Sequence, residues 1–99
     1  MHQRRERARH LVEKRKALAL SKHGKLECEV CGFNFATVYG DRGTGFIECH
    51  HTKPVETLGD GTRTRLQDLA LVCSNCHRMI HAKRLWLTIA ELKLYILTG

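Results

Sequence analysis

Cysteine and histidine hold most of the coordinating power in this chain, and they crowd into its middle. Cys28 and Cys31 form one C-x-x-C pair (CEVC), and Cys73 and Cys76 form another (CSNC). Two such pairs, far apart in sequence, supply four thiolates from different elements. That is the ligand set of a tetrahedral structural zinc, with sulfurs about 2.3 Å from the ion. A redox C-x-x-C needs only one pair and a βαβ setting, which is absent here. Cys49 is left over and is expected to be a small buried strand residue. His77 and His81 lie four apart, so on a helix both imidazoles project from one face and can grip one ion. The doublet His50-His51 stands at a strand end, where neighbours ordinarily point to opposite faces. Either the strand end relaxes that rule, or one imidazole binds metal while the other faces a substrate. The four paired Cys and four His between Cys28 and His81 exceed what one structural site needs. Two metals are expected, one enclosed by sulfur and one held openly by nitrogen.

The elements that must position these groups follow from local pattern. Residues 3–21 lack Gly and Pro, and Ala8, Leu11, Val12, Leu18 and Ala19 recur at helical spacing, which predicts an amphipathic helix with a basic outer face, ended by His23-Gly24. The knuckle CEVCG follows, then FNFATVYG and the glycine-rich turn DRGTG. FIECHH reads as a strand, TLGDGTRTR at 57–65 as a polar loop, and LALVC as a short apolar strand entering the second cysteine pair. SNCHRMIHAKR fits a helix with Ser74 as its N-cap. Thr88-Ile89-Ala90-Glu91 has the form of a capping box, which predicts a last helix from about Ile89 to Thr98.

The 99 residues allow one domain, and at this size folding hides only about two-thirds of the unfolded surface, so metal must supplement a thin core. Hydrophobic residues at 42%, charged residues at 27% and a single proline exclude disordered and collagen-like classes, and no apolar run is long enough to span a membrane. The start, MHQRRERARH, has no apolar stretch of the secretory type, and five cysteines without such a signal fit a reducing compartment. A cytoplasmic location and no membrane partner are expected. Residues 1–25 hold nine basic and two acidic side chains, the whole net charge of +7, while the other 74 residues carry eight of each. That asymmetry predicts a basic helical arm over residues 1–24, aimed at a polyanion and mounted on a neutral body over residues 25–99, in a single compact domain overall.

FIECHHTKP followed by LQDLALVCSNCHRMIH resembles the HNH endonucleases, in the branch whose ββα-metal motif is tied down by a four-Cys zinc. The doublet, the DLxLxC strand and the CxxCHxxxH helix occur in the order of that family. The resemblance implies an α+β fold, a small zinc-stabilised ββα-metal domain flanked here by N- and C-terminal helices. It matches His50 to the first-strand metal ligand, His51 to the general base, His77 to the helix ligand and His81 to an additional ligand. Asp68 falls where many members carry the middle Asn. That departure leaves open whether its carboxylate fixes the loop and orients the base or instead feels the metal.

Phosphodiester hydrolysis sets matching demands. It needs a water deprotonated near neutral pH, relief of the charge gathering at phosphorus, and help for the leaving 3′ oxygen. A neutral imidazole suits the first, so His51 is the expected base. A divalent ion on His50 and His77 would act as a Lewis acid on a nonbridging oxygen and the leaving oxygen. The region offers no acidic cluster for a two-metal mechanism. Glu48 shares a strand face with His50 and is expected to support the site, with Arg42 as its partner. Imidazole ligands favour Mn2+ or Ni2+ over Mg2+, which should work less well. Arg4, Arg5, Arg7, Arg9, Lys53 and Arg78, with Arg63, Arg65, Lys83 and Arg84, are expected to meet DNA phosphates. No separate recognition helix is apparent, and aromatics are only 6%, so little sequence specificity is expected. A monomer would nick, and a dimer could cut both strands. The competing reading is a catalytically inactive zinc-stabilised nucleic-acid-binding module; an adaptor domain whose basic helix binds a protein is the third. Removing residues 1–22 is expected to weaken DNA binding while sparing the metal sites.

Overall fold

The computed structural model describes residues 2–52 and 65–98, with side chains from residue 9 to residue 97 of those stretches. Helix α1 (His2–His23) leads into the cysteine knuckle, a short helix α2 (Phe35–Tyr39) and a 3-10 turn at Gly40–Gly43. Strand β1 (Glu48–His51), a 3-10 turn at Leu66–Asp68, strand β2 (Leu69–Val72), helix α3 (Ser74–Ile80) and helix α4 (Ile89–Thr98) follow. The strands form one antiparallel pair, with Glu48 opposite Val72, Cys49 opposite Leu71, His50 opposite Ala70 and His51 opposite Leu69. The fold is therefore α+β, a two-stranded sheet with helices around it, as a small ββα domain with flanking helices requires. Among the described residues no helix is long and apolar enough to cross a membrane.

The core is thin and divided in two. One cluster gathers Cys28, Val72, Cys73, Cys76, Ile80 and Leu92 around the cysteines, with Trp86 and Ile89 packed on it. The other joins Ala19 and Leu26 to Ile47 and Leu71, with Phe35 and Cys49 at its margin. Cys49 is half-buried, and burial raises its thiol pKa, so it behaves as a small apolar residue. Gly43 is buried where α2 turns back; a Cβ there would collide with the backbone of Phe35 and Ala36, so no larger residue fits.

Helix boundaries depart from pattern in two instructive places. The N-cap of α3 is Cys73, whose sulfur accepts from the Cys76 amide at 3.4 Å, and not Ser74. A zinc-ligating thiolate can serve as that cap because it is itself an acceptor, which frees Ser74 for other work. The helix also stops at Ile80 and does not run on through Ala82-Lys83-Arg84. The capping box at α4 is present as expected: Glu91 N–H donates to Thr88 Oγ1 at 3.1 Å and Thr88 N–H to Glu91 Oε1 at 2.8 Å.

Helix α1 is not an apolar stripe backed by charge. Leu11, Val12, Arg15, Lys16 and Ala19 turn inward, while Leu18 is exposed. Arg15 Nε donates to the Leu69 carbonyl at 3.0 Å, and its guanidinium meets Glu29 Oε2 at 2.8 Å. Lys16 Nζ donates to the Gly45 carbonyl at 2.9 Å. Two of the arm's cations are thus fasteners to the body. The expected truncation at residue 22 would therefore also remove Ala19 and both fasteners from the fold.

Candidate metal and nuclease centre

The two cysteine knuckles face one another. Sγ of Cys31 lies 3.7 Å from Sγ of Cys73, and the four sulfurs all lie within 4.8 Å of one another. A tetrahedron with bonds of about 2.3 Å has edges of about 3.8 Å, so Cys31 and Cys73 stand at that separation and the four sulfurs are close enough together to share one zinc. Amides of Val30 and Cys31 point at Cys28 Sγ at 3.4 and 3.5 Å. Burial alone would raise the Cys28 thiol pKa, but these amides and that of Cys73 outweigh it and favour the thiolate. Burial, and then the crowding of neighbouring thiols, pushes Cys76 far up. That is a thiol whose deprotonated form needs a cation beside it. Gly32 closes the first knuckle at φ +80°, where a side chain would be strained, and its amide donates to the Cys28 carbonyl at 2.9 Å.

About the second centre, strand alternation decides between the two options for the histidine doublet. Glu48 and His50 face α3, whereas Cys49 turns to the cluster below α1. His50, His77 and His81 bring ring nitrogens within 4.8 Å of one another. His81 Nε2 lies 3.2 Å from His50 Nδ1, inside the span of about 3.0–3.4 Å between neighbouring nitrogens on one ion at about 2.1 Å. Three nitrogens on one ion would leave coordination positions open. His50 is 3% exposed; burial, reinforced by the neighbouring histidines, lowers its pKa to about 4. The same causes lower that of His81. Both rings are therefore neutral and able to ligate at neutral pH.

Glu48 does not reach for Arg42. Its Oε1 lies 2.8 Å from His77 Nδ1, and its Oε2 accepts from Ser74 Oγ at 2.6 Å. Those two hydrogen bonds, Ser74 first, hold its carboxyl below the usual range. A carboxylate that only accepts fixes the His77 proton on Nδ1 and leaves Nε2 for a metal.

His51 stands at the last position of β1, half-exposed and outside the three-nitrogen group. Asp68 is buried, and its carboxylate accepts from the Arg65 amide at 3.0 Å. The Asp68 carbonyl accepts from Thr52 N and Oγ1 at 2.8 and 3.0 Å. Asp68 thereby pins the chain immediately after His51, and it lies outside the described ligand groups. Arg65, expected at a phosphate, is paired with Asp68 at 3.4 Å.

Arg9 and Arg78 are exposed. Helix α1 carries Arg4, Arg5 and Arg7 in its first two turns, and Lys53 and Arg63 lie outside the described residues. A cleft of about 400 Å³ opens beside His50, walled by Thr52, Arg84, Trp86, Leu87 and Ile89. Trp86 was not evident from the sequence, where its one signal was a lone tryptophan five residues beyond His81.

The model of the HNH endonuclease family matches residues 28–83, which contain every cysteine and histidine of the two centres. Comparison with curated proteins and with solved structures returns no significant match. With more than half of its length matched, a β-hairpin on a helix, four cysteines placed for zinc and three histidines converging from strand and helix, the chain belongs to the HNH endonuclease family.

Proposed function

We propose that the protein is a metal-dependent DNA endonuclease with little sequence specificity, which nicks as a monomer. The observation that carries this reading is the division of the doublet: His50 joins two helix imidazoles, while His51, on the same strand, is left half-exposed beside them. One ligand, His50, and the base, His51, are thus distinct neighbours on one short strand. His50, His77 and His81 would hold a divalent ion, which would supply Lewis-acid charge for phosphodiester cleavage when bound. The chain's own residues supply the rest. His51 takes the proton of the attacking water, Asp68 and Thr52 hold the strand end that presents it, and Glu48 sets the tautomer of His77. Mn2+ or Ni2+ suits three imidazoles better than Mg2+.

The line of α1 supports a role for the basic arm. Ala19 packs in one cluster with Leu71, and Arg15 sits at the Leu69 carbonyl. Continued in that direction, the helix carries Arg9 and the residues before it past the end of the sheet where His51 stands. Cations there neutralise phosphates on either side of the bond being cut.

Plasmid nicking by native protein and by His51→Ala is the test. Metal-dependent nicking lost in the variant, with both metals and DNA affinity retained, supports the reading. A variant that cuts as fast as native protein removes His51 as the base. Native protein that binds DNA and zinc but no second, chelator-labile ion fits the inactive binding module instead.

A further inference from the structure

The structure assigns to Trp86 the positioning of the nitrogen centre: its indole holds the rings of His81 and His50 in the arrangement that takes an ion. This rests on the reading of the three histidines as a metal site. The need arises because α3 ends at Ile80, so His81 is already its C-cap, at φ −96° and ψ 5°. The helix backbone therefore directs His81 less firmly than it directs His77. His77 also has Glu48 on its Nδ1, whereas among the described residues it is Trp86 whose ring packs on His81 from outside the centre. The indole and that imidazole meet edge to face, centroids 4.2 Å apart and planes at 80°, the approach aromatic rings favour. The same indole lies 5.5 Å from the His50 ring.

Trp86 is itself held from both sides. Leu87 N–H donates to the Ile80 carbonyl at 3.3 Å, folding the segment back over the end of α3. Two residues after Trp86, the Thr88–Glu91 capping box starts α4. One side of the indole packs on the sulfur-centred core, and another walls the cleft beside His50. A rigid ring so placed links the zinc-stapled core to the open centre and keeps two imidazoles from turning away from it. Outer partners that hydrogen-bond to a ligand change metal affinity by about 10–100-fold when removed, and a ring that only packs on two ligands belongs at the lower end of that scale.

Trp86 is the only tryptophan, so its emission reports on this site alone. Protein with zinc in its cysteine site is titrated with Ni2+, a paramagnetic ion that quenches an indole close by. Saturable quenching at one equivalent, absent in His81→Ala, is expected; emission that stays constant while calorimetry records Ni2+ binding overturns the assignment. By calorimetry Trp86→Leu, with zinc content retained, should bind Ni2+ about 10-fold more weakly, and affinity equal to the native protein's overturns the assignment. Should Trp86→Leu fail to fold, Trp86→Phe decides: a phenyl ring keeps part of the edge-to-face contact, so a smaller loss of about threefold is expected, with native affinity overturning the assignment. If native protein binds no Ni2+ beyond its zinc, the metal reading of the histidines fails, a result distinct from the failure of Trp86 alone.

Discussion

Glu48 Oε1 stands 2.8 Å from His77 Nδ1, and its second oxygen is held by Ser74 Oγ at 2.6 Å. The chain Ser74–Glu48–His77 couples the first turn of α3 to β1 and presents one nitrogen of His77 with its lone pair free. Glu48→Gln can offer an amide N–H where an acceptor is needed and would scramble the tautomer. We expect it to weaken Ni2+ or Mn2+ binding about 10–100-fold by calorimetry, with the zinc content unchanged. Ser74→Ala should fall between the variant and the native protein. Native affinity in Glu48→Gln would mean that the carboxylate does not orient the ligand.

A zinc on the four sulfurs would hold more than the two knuckles. Glu29, inside the first pair, donates its amide to the Leu71 carbonyl at 2.8 Å and accepts from the Leu71 amide at 2.7 Å through Oε2. The same oxygen meets Arg15 of α1 at 2.8 Å. The knuckle thus extends the β2 edge and ties α1 to it. Structural zinc is worth about 10–16 kcal/mol in small zinc-dependent peptides, more than a core this thin provides. Cys76→Ser, or stripping the metal, should abolish the cooperative melt in far-UV circular dichroism. A sharp transition that survives without zinc would show that the apolar clusters suffice.

Spacing made both candidate metal sites legible, because C-x-x-C and His-x-x-x-His fix which side chains share a turn or a face. Alternation along β1 favoured a parting of His50 and His51 but left open that the strand end relaxes it; packing against α3 turns His50 inward. Three features depended on distant residues meeting in the fold. Arg15 reads as one more charge in a basic run, and only the closeness of Glu29 and Leu69 makes it a fastener. Glu48 finds His77 and Ser74 rather than Arg42, since antiparallel pairing sets it opposite Val72, at the start of α3. Trp86 lies in a segment with no periodicity, and its place follows from the early stop of α3.

Acid should loosen the fold through His50. In the unfolded chain its imidazole takes a proton near pH 6.5, while in the fold it stays neutral down to about 4. Between those values the unfolded state binds more protons, so stability falls as pH drops and is unaffected above that window. At pH 5.5 the loss is about 1.4 kcal/mol, one pH unit of linkage, with His81 adding in the same direction. Urea midpoints of protein with zinc in its sulfur site and no ion on the histidines should fall from pH 7.5 to 5.5. His50→Gln should fall by correspondingly less. An equal drop in both proteins would place the acid sensitivity elsewhere.

The cations of α1 should separate into two functional groups. Arg15 is part-buried, with one bond to a carbonyl and one to Glu29. Arg15→Ala should therefore lower stability by about 1–2 kcal/mol, allowing for solvent screening of the pair, and leave DNA affinity at fixed folded fraction unchanged. Deleting residues 1–10 removes Arg4, Arg5, Arg7 and Arg9 but keeps Arg15, Lys16 and Ala19. It should leave the urea midpoint close to native and reduce the slope of log affinity against log salt by about 0.9 for each phosphate that the arm no longer neutralises. Deleting residues 1–22 should do both, unlike a cut through an independent arm. Should the shorter deletion bind DNA with the native salt slope, the charge that meets DNA lies on the body, at Arg78 and around the cleft, and α1 serves the fold alone.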